Sequence, residues 1–235
     1  MKMPLNKGDF ILVEYTVKVK ETGQIIETTN AEEAKKAKIY DESRTYEPLL
    51  IILGEGRVIP GFEEHLLSSE VGEEKEVEIP PEKAYGTRDP SKVRIVPLRE
   101  LRKHVDVSSL VPGAIVNING VPAVIRSITG GRVVVDFNHP LAGKTLIYRF
   151  KIVKKIDNEE EKVKYLLHRQ LKNIEPNKFK VHRRDNTLII EIPREAILIE
   201  NIQYVKSIVA NEVFKYVDPN LSAVEYVEKF EKTSK

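Results

Sequence analysis

The segment TLIYRFKIV, within Lys144 to Ile156, constrains the fold more than any other stretch of the chain. It reads as a long strand, and left beside the residues that precede it, it would be an unpaired edge. Pairing with a sheet begun near the N-terminus removes that problem. The expected topology is therefore an interrupted domain, which opens near residue 87, accepts residues 88–137 as an insertion, and closes with this strand.

The first sheet is legible in DFILVEYTVKVK (Asp9 to Lys20), which places Val13, Tyr15, Val17 and Val19 on one face and Glu14, Lys18 and Lys20 on the other, the pattern of a half-buried strand. A turn at Glu21 to Gln24 leads into a second strand at Ile25 to Thr29. Asn30 and Glu33 have capping-box spacing ahead of AEEAKKAK, a short helix whose Lys/Glu character predicts a solvated surface element. LLIIL (Leu49 to Leu53) is an apolar strand that runs into GEGRVIPG. Pro60 suits the first turn of a helix carrying Phe62, Leu66 and Leu67 on one face, with Gly72 beyond its end. In EEKEVEIP, Val77 and Ile79 alternate with Glu76 and Glu78, and Pro80-Pro81 ends the strand.

Within the insertion, Val93 to Val96 is a short strand and PLRELRKH predicts one or two helical turns. Asn119-Gly120, a type I′ hairpin signal, and Gly130-Gly131 divide Ala114 to Ile118, Val121 to Ile128 and Arg132 to Phe137 into a meander. After the closing strand, Asp157 or Asn158 caps a helix with Val163, Leu166, Leu167 and Leu171 on one face, stopped by Pro176. A hairpin follows around Asp185-Asn186, then a second helix with Ile202, Val205, Ile208, Val209 and Val213 on its apolar face. LSAVEYVEKFEK suits strand or helix and is read as a strand. The fold class is α+β: residues 1–87 with 138–156, an all-β insert over 88–137, and an α+β unit over 157–235.

Composition narrows the chemistry. The absence of cysteine excludes disulfides, Cys-ligated zinc, iron–sulfur clusters and thiol nucleophiles. His65, His104, His139, His168 and His182 are scattered without HExxH spacing, so no metal is expected. Lys plus Arg total 38 against 36 for Asp plus Glu, a net +2 that gives no long-range attraction to nucleic acid or anionic membrane. No apolar run reaches membrane-span length and MKMPLNKGDF lacks a signal-peptide core, so a cytoplasmic location is expected. Methionine only at positions 1 and 3, no tryptophan, and abundant Lys and Glu lean toward a heat-adapted source. There is no GxSxG elbow or Walker loop. GEGRVIPG lacks the Lys-Ser/Thr of a phosphate loop and is better read as a tight strand-to-helix turn.

GRVIPGFEEHL (Gly56 to Leu66) followed by SSEVGEEKEVEIPPEKAYG (Ser68 to Gly86) resembles the core motif of FKBP-type peptidyl-prolyl cis-trans isomerases. With the inserted module and the returning DFNHPLAGKTLIYRFKI (Asp136 to Ile152), the chain resembles the SlyD-like branch, and its C-terminal unit resembles that of the long-chain archaeal form. The resemblance implies an FKBP-type sheet wrapped on a short helix, with a cleft lined by Tyr15, Ile26, Glu27, Leu49, Ile51, Val58, Ile59, Phe62, Tyr85, Leu141 and Tyr148. It further implies that Phe62 floors the proline site, and that the Tyr85 hydroxyl and the Ile59 backbone N–H bond substrate carbonyls. Ile26 and Leu49 stand where aromatics are frequent in the family, Glu27 where aspartate is usual, and Phe62 where tryptophan occurs.

Such chemistry requires no cofactor or nucleophile. The rotation barrier of about 20 kcal/mol comes from the double-bond character of the peptide C–N, which the twisted transition state loses. An apolar site that withholds water from the carbonyl and binds the twisted geometry lowers that barrier. The resemblance also implies that the insert binds unfolded, proline-containing clients, although its Val and Ile residues equally suit a private core. The C-terminal unit, by resemblance, dimerises the chain or widens the client surface, or its helices simply bury their own apolar faces. Two other readings stand beside this one: a non-catalytic holdase that retains the cleft, and RNA binding through KFKVHRR (Lys178 to Arg184), which neighbouring acidic residues and the lack of a GxxG or aromatic RNP pattern disfavour.

Overall fold

The computed structural model describes residues 4–102, 105, 110–230 and 232. The elements run β1 (Phe10–Val19), β2 (Ile25–Thr28), α1 (Ala31–Lys36), β3 (Leu49–Ile52), α2 (Pro60–Leu67) and β4 (Glu74–Ile79), then β5 (Val93–Pro97), α3 (Leu98–Leu101), β6 (Ile115–Ile118), β7 (Val121–Thr129) and β8 (Arg132–Asp136). They continue with β9 (Leu146–Ile156), α4 (Glu159–Gln170), β10 (Lys180–Arg184), β11 (Thr187–Ile192), α5 (Arg194–Ile197), α6 (Ile202–Glu212) and β12 (Ala223–Glu228). The fold is mixed α+β. Part of the helix expected in PLRELRKH, residues 103 and 104, lies outside the described residues.

β9 pairs antiparallel with β1 from Val19↔Leu146 to Phe10↔Ile156, and on its other side with β4. β2 and β3 pair with opposite ends of β1, completing the first sheet. The insertion forms its own antiparallel sheet in the order β5-β8-β7-β6. Asn119 and Gly120 both have positive φ, 52° and 84°, as a type I′ turn requires. In the last segment β11 pairs with β10 in a hairpin and, in parallel, with β12, so α5 and α6 form the crossover that a parallel pair needs.

The half-buried strand expected at Asp9 to Lys20 is buried on both faces over its first half. Ile11, Val13, Tyr15 and Val17 face one core, together with Phe62, Ile79, Tyr148 and Phe150. Phe10 and Leu12 face another, with Leu50, Ile52 and Ile156 of the same sheet and Val163, Leu166 and Leu167 of α4. The C-terminal segment covers the rear of the first sheet, and that is why alternation predicted only one apolar face.

α1 also departs from expectation. The Asn30 side chain accepts from the N–H groups of Glu32 and Glu33, but the Asn30 N–H donates to Thr28 Oγ1 at 3.1 Å and not to Glu33. Glu33 instead accepts from Thr16 Oγ1 at 2.5 Å and pairs with Arg149 of β9, and Ala34 is fully buried. The capping box is half formed because sheet residues compete for Glu33; the helix lies at the surface as expected, with Glu32, Lys35 and Lys36 exposed, but docks on the sheet through Glu33 and Ala34. α6 continues into a π-helical turn over Val213–Val217, which periodicity did not reveal.

A buried ion network ties the C-terminal segment to the loop after β3. Arg169 bonds Glu55 at 2.9 and 3.2 Å and Glu212 at 2.7 Å, and Arg57 reaches both carboxylates at 2.8 and 3.1 Å. The side chains of Arg169, Glu55 and Glu212 are each no more than 10% exposed. Removing one partner from such a cluster strands charge in a poorly solvated place. Arg169→Ala is expected to cost about 3–5 kcal/mol in chemical denaturation, whereas Lys180→Ala, a pair 4.0 Å apart at the surface, is expected to change little.

Candidate active site

Between α2 and the front of the first sheet lies an aromatic cluster. The Phe62 ring sits 4.4 Å from that of Tyr148, 5.2 Å from Phe150 at a near-perpendicular 79°, and 5.7 Å from Tyr15. The approach of α2 depends on Gly61. A Cβ there would lie 2.5 Å from Ile79 Cγ2 and 3.1 Å from the Lys83 carbonyl oxygen, so only glycine lets the helix start against the end of β4. Ile59 is the N-cap residue with extended backbone (ψ 144°), and its carbonyl accepts from the N–H groups of Phe62 and Glu63. Its own N–H has no partner among the hydrogen bonds of the described residues.

Ile51, Phe62, Tyr15 and Tyr148 form the buried part of this cluster, and Ile26, Leu49, Val58, Ile59 and Leu141 pack on it half-buried. Glu27 joins through its carboxylate, which accepts from the Tyr15 hydroxyl at 2.7 Å and from Arg44 Nη2 at 3.0 Å. Tyr85 lies at the rim, 37% exposed, outside the apolar cluster. Its ring stacks on the imidazole of His139, with centroids 4.2 Å apart and planes within 2°. Of the expected residues, all but Glu27 and Tyr85 thus pack in one apolar cluster, with Phe62 itself only 1% exposed.

Arg44 and His139 were not anticipated as site residues. Arg44 belongs to a loop without periodicity. His139 sits inside the quoted DFNHPLAGK motif, immediately after the insertion returns, and that position was the available signal.

Burial raises the Tyr15 hydroxyl pKa above its ordinary value, and the neighbouring Glu27 charge raises it further. Burial does the same at Tyr148, followed by Tyr85 and Glu27. At Tyr85 burial and then Glu27 act in the same direction. All three remain neutral donors at physiological pH. Among the described residues no group of three or more His, Asp and Glu is placed to hold a metal ion. The site is an apolar surface edged by neutral tyrosine hydroxyls, a composition suited to binding a peptide backbone.

The crossover to the insertion borders the site. Phe137 N–H donates to the Lys92 carbonyl at 3.0 Å, Asn138 and Asp89 exchange two bonds at 2.9 Å, and Gly143 N–H donates to the Gly86 carbonyl at 2.8 Å. Asp136 is fully buried and accepts from Arg88, Arg126 and Asn138. Within the insertion, Val116, Ala123, Ile125, Val133 and Val135 fill a core, while Ile95, Val111, Ile115 and Val121 remain exposed. Its aliphatic residues thus serve both a private core and an open surface.

Comparison with known proteins agrees with this architecture. The model of FKBP-type peptidyl-prolyl cis-trans isomerases matches residues 2–107, that of the FKBP26 IF domain residues 94–141, and that of the FKBP26 C-terminal region residues 159–231. The chain is 43% identical over 148 residues to a short-type peptidyl-prolyl cis-trans isomerase of Methanocaldococcus jannaschii, covering 63% of this chain and 92% of the relative. It is 33% identical over 126 residues to the FKBP-type peptidyl-prolyl cis-trans isomerase SlyD of Helicobacter pylori, covering 53% and 68% respectively. Against the FKBP-type 16 kDa isomerase of Escherichia coli it is 26% identical over 155 residues, covering 65% and 95%. The chain belongs to the FKBP-type peptidyl-prolyl cis-trans isomerase family. It is a SlyD-like member in its long form, and its enzyme class is peptidyl-prolyl cis-trans isomerase.

The Asp136 carboxylate yields a pH prediction. Burial alone would raise its pKa, but bonds from Asn138, Arg126 and Arg88 outweigh this and hold it well below the carboxylate range. A depressed folded-state pKa contributes stability that is present above the unfolded value of about 3.9 and is lost as pH falls through the folded value. The stability gap between wild type and Asp136→Asn, measured by denaturant titration, is therefore expected to be constant near neutrality and to shrink below about pH 4.

Proposed function

We propose that the Phe62 cleft isomerises Xaa-Pro bonds in unfolded client segments that the insertion captures. The observation that carries this reading is the Ile59 N–H, without a partner among the hydrogen bonds of the described residues, on a half-buried residue packed against a buried aromatic cluster; the part-exposed Tyr85 hydroxyl is taken as a second donor. In this reading the prolyl ring lies against Phe62, between Tyr15 and Tyr148, while Ile59 N–H and Tyr85 bond substrate carbonyls on either side. Ile26, Leu49, Ile51, Val58 and Leu141 withhold water from the twisting amide. Because the twisted state carries less charge separation than the planar one, a dry apolar site favours it. Glu27 acts on the site by holding Tyr15, itself held by Arg44.

The division into an isomerase domain (residues 1–87 and 138–156), a chaperone insert (88–137) and a C-terminal unit (157–235) is part of the same proposal. Exposed Ile95, Val111, Ile115 and Val121 support client capture by the insertion. Exposed Leu198, Tyr204 and Phe230 support association of two copies through the C-terminal unit. Arg183 and Arg184 of the basic run are paired with Glu159, Asp218 and Glu225, which supports a protein client over a nucleic acid. No helix among the described residues is long and apolar enough to cross a membrane, and a cytoplasmic location suits a protein whose clients are unfolded chains. A second reading, a holdase without turnover, draws on the 1% exposure of Phe62, which leaves little of its ring open to a prolyl side chain.

A proline tetrapeptide isomerisation assay separates the two readings. Tyr85→Phe is expected to lower kcat/KM about tenfold, the worth of one lost hydrogen bond, and Phe62→Ala to lower it further; aggregation suppression without any isomerisation would favour the holdase. Ile95→Asp combined with Val121→Asp is expected to slow refolding of a proline-limited protein while sparing tetrapeptide turnover. Equal losses in both assays would contradict the capture role.

A further inference from the structure

Tyr85 has no strand of its own to hold it. It follows a single 3₁₀ turn at Pro81–Lys83 and precedes Gly86, which has a φ of 79°. The ring is fixed from outside, by His139. The imidazole is oriented in turn, because its Nδ1 accepts the Leu141 N–H at 3.2 Å, and because its backbone follows directly on Asn138, which is 5% exposed. Every polar atom of the Asn138 side chain is used: Oδ1 accepts from Asp89 N–H at 2.9 Å, and Nδ2 donates to the Asp89 carbonyl at 2.9 Å and to Asp136 Oδ1 at 2.7 Å. The Asn138 N–H also donates to Asp136 Oδ1 at 3.0 Å.

The other oxygen of Asp136 takes Arg88 Nε and Nη2 at 3.1 and 2.7 Å and Arg126 Nε at 2.9 Å. These partners come from different places: Arg88 from the outgoing crossover, Asn138 from the returning one, and Arg126 from β7 in the insertion. Asp136 and Asn138, the buried pair at the centre, have their polar side-chain atoms bonded, and leaving such atoms half-satisfied is costly. Apolar packing would have sufficed to join two chains. The network adds a defined orientation, and His139, the next residue after Asn138, passes that orientation to Tyr85.

We propose that Asp136 and Asn138 are positioning residues for Tyr85: their network locks the inserted sheet to its two crossover segments and, through His139, sets where the Tyr85 hydroxyl points. The inference rests on the assignment of Tyr85 as a substrate-bonding group and extends it. It makes the insertion part of the catalytic geometry, because Arg126 couples a residue of the inserted sheet to the cleft.

The test uses the full chain. With labelled tyrosine, the Tyr85 ring resonances of the wild type are expected to carry the ring-current shift of the stacked imidazole; Asn138→Ala and His139→Ala lose it, and His139→Phe keeps a comparable shift. In the tetrapeptide assay Asn138→Ala is expected to lower kcat/KM about tenfold, as a misplaced group does, but by less than about twofold in a Tyr85→Phe background, within the error of independent sites. Arg126→Gln, at a half-exposed side chain, keeps the test valid where Asn138→Ala does not fold, and is expected to show the same dependence on Tyr85. An equal drop in both backgrounds, or Tyr85 resonances unmoved by Asn138→Ala and Arg126→Gln, overturns the inference. A wild type without turnover instead defeats the assignment of the cleft, and the resonance measurement then decides the positioning role alone.

Discussion

The pairing of β1 with β9 is the constraint on which the rest of the molecule depends. Residues 20–145 lie between the nearest partners, Val19 and Leu146, so the central ladder of the first sheet joins strands far apart in sequence. Loop-closure entropy grows only logarithmically with such a separation, which makes a whole inserted module tolerable so long as its ends leave and return side by side. They do so at Gly86 and Gly143. The same ladder brings Tyr15 of β1 beside Tyr148 and Phe150 of β9, and the floor of the cleft is therefore a product of long-range pairing.

Each further part hangs on that ladder by a different kind of contact. α2 enters its front face by shape, through Gly61 and the Phe62 ring. The C-terminal segment covers its rear by apolar burial, with Phe10 and Leu12 among the residues shared, and adds the Arg169 ion network at the margin. The insertion is joined to its two crossover segments by polar bonds around Asp136. The division of labour fits the uses proposed: the front is packed on aromatic rings, the rear is sealed, and the crossover to the insertion is held by directional bonds.

Much of this was legible from residues alone. Period-2 alternation, Asn-Gly and Gly-Gly turns, and an edge strand without a local partner located the strands and the interruption, because each is a local or nearest-neighbour signal. Most of the expected pocket residues pack together because GRVIPGFEEHL and the returning strand contribute to one core. What was missed depends on tertiary competition. Glu33 was diverted from its cap by Thr16 and Arg149, and Leu12 and Phe10 gained a second core that the alternation of one strand cannot announce. Arg44 reaches Glu27 from an aperiodic loop, and His139 stacks on a ring far away in sequence.

The apolar rear of the first sheet bears on what the C-terminal unit is needed for. The match to the short-type relative covers 92% of that protein and 63% of this chain. Here Phe10, Leu12, Leu50, Ile52 and Ile156 have become interior residues, and cutting away residues 157–235 would turn them into a contiguous adhesive surface. With that face apolar, the cover is no longer optional: the first sheet depends on the C-terminal unit for its own solubility, whatever else the unit does.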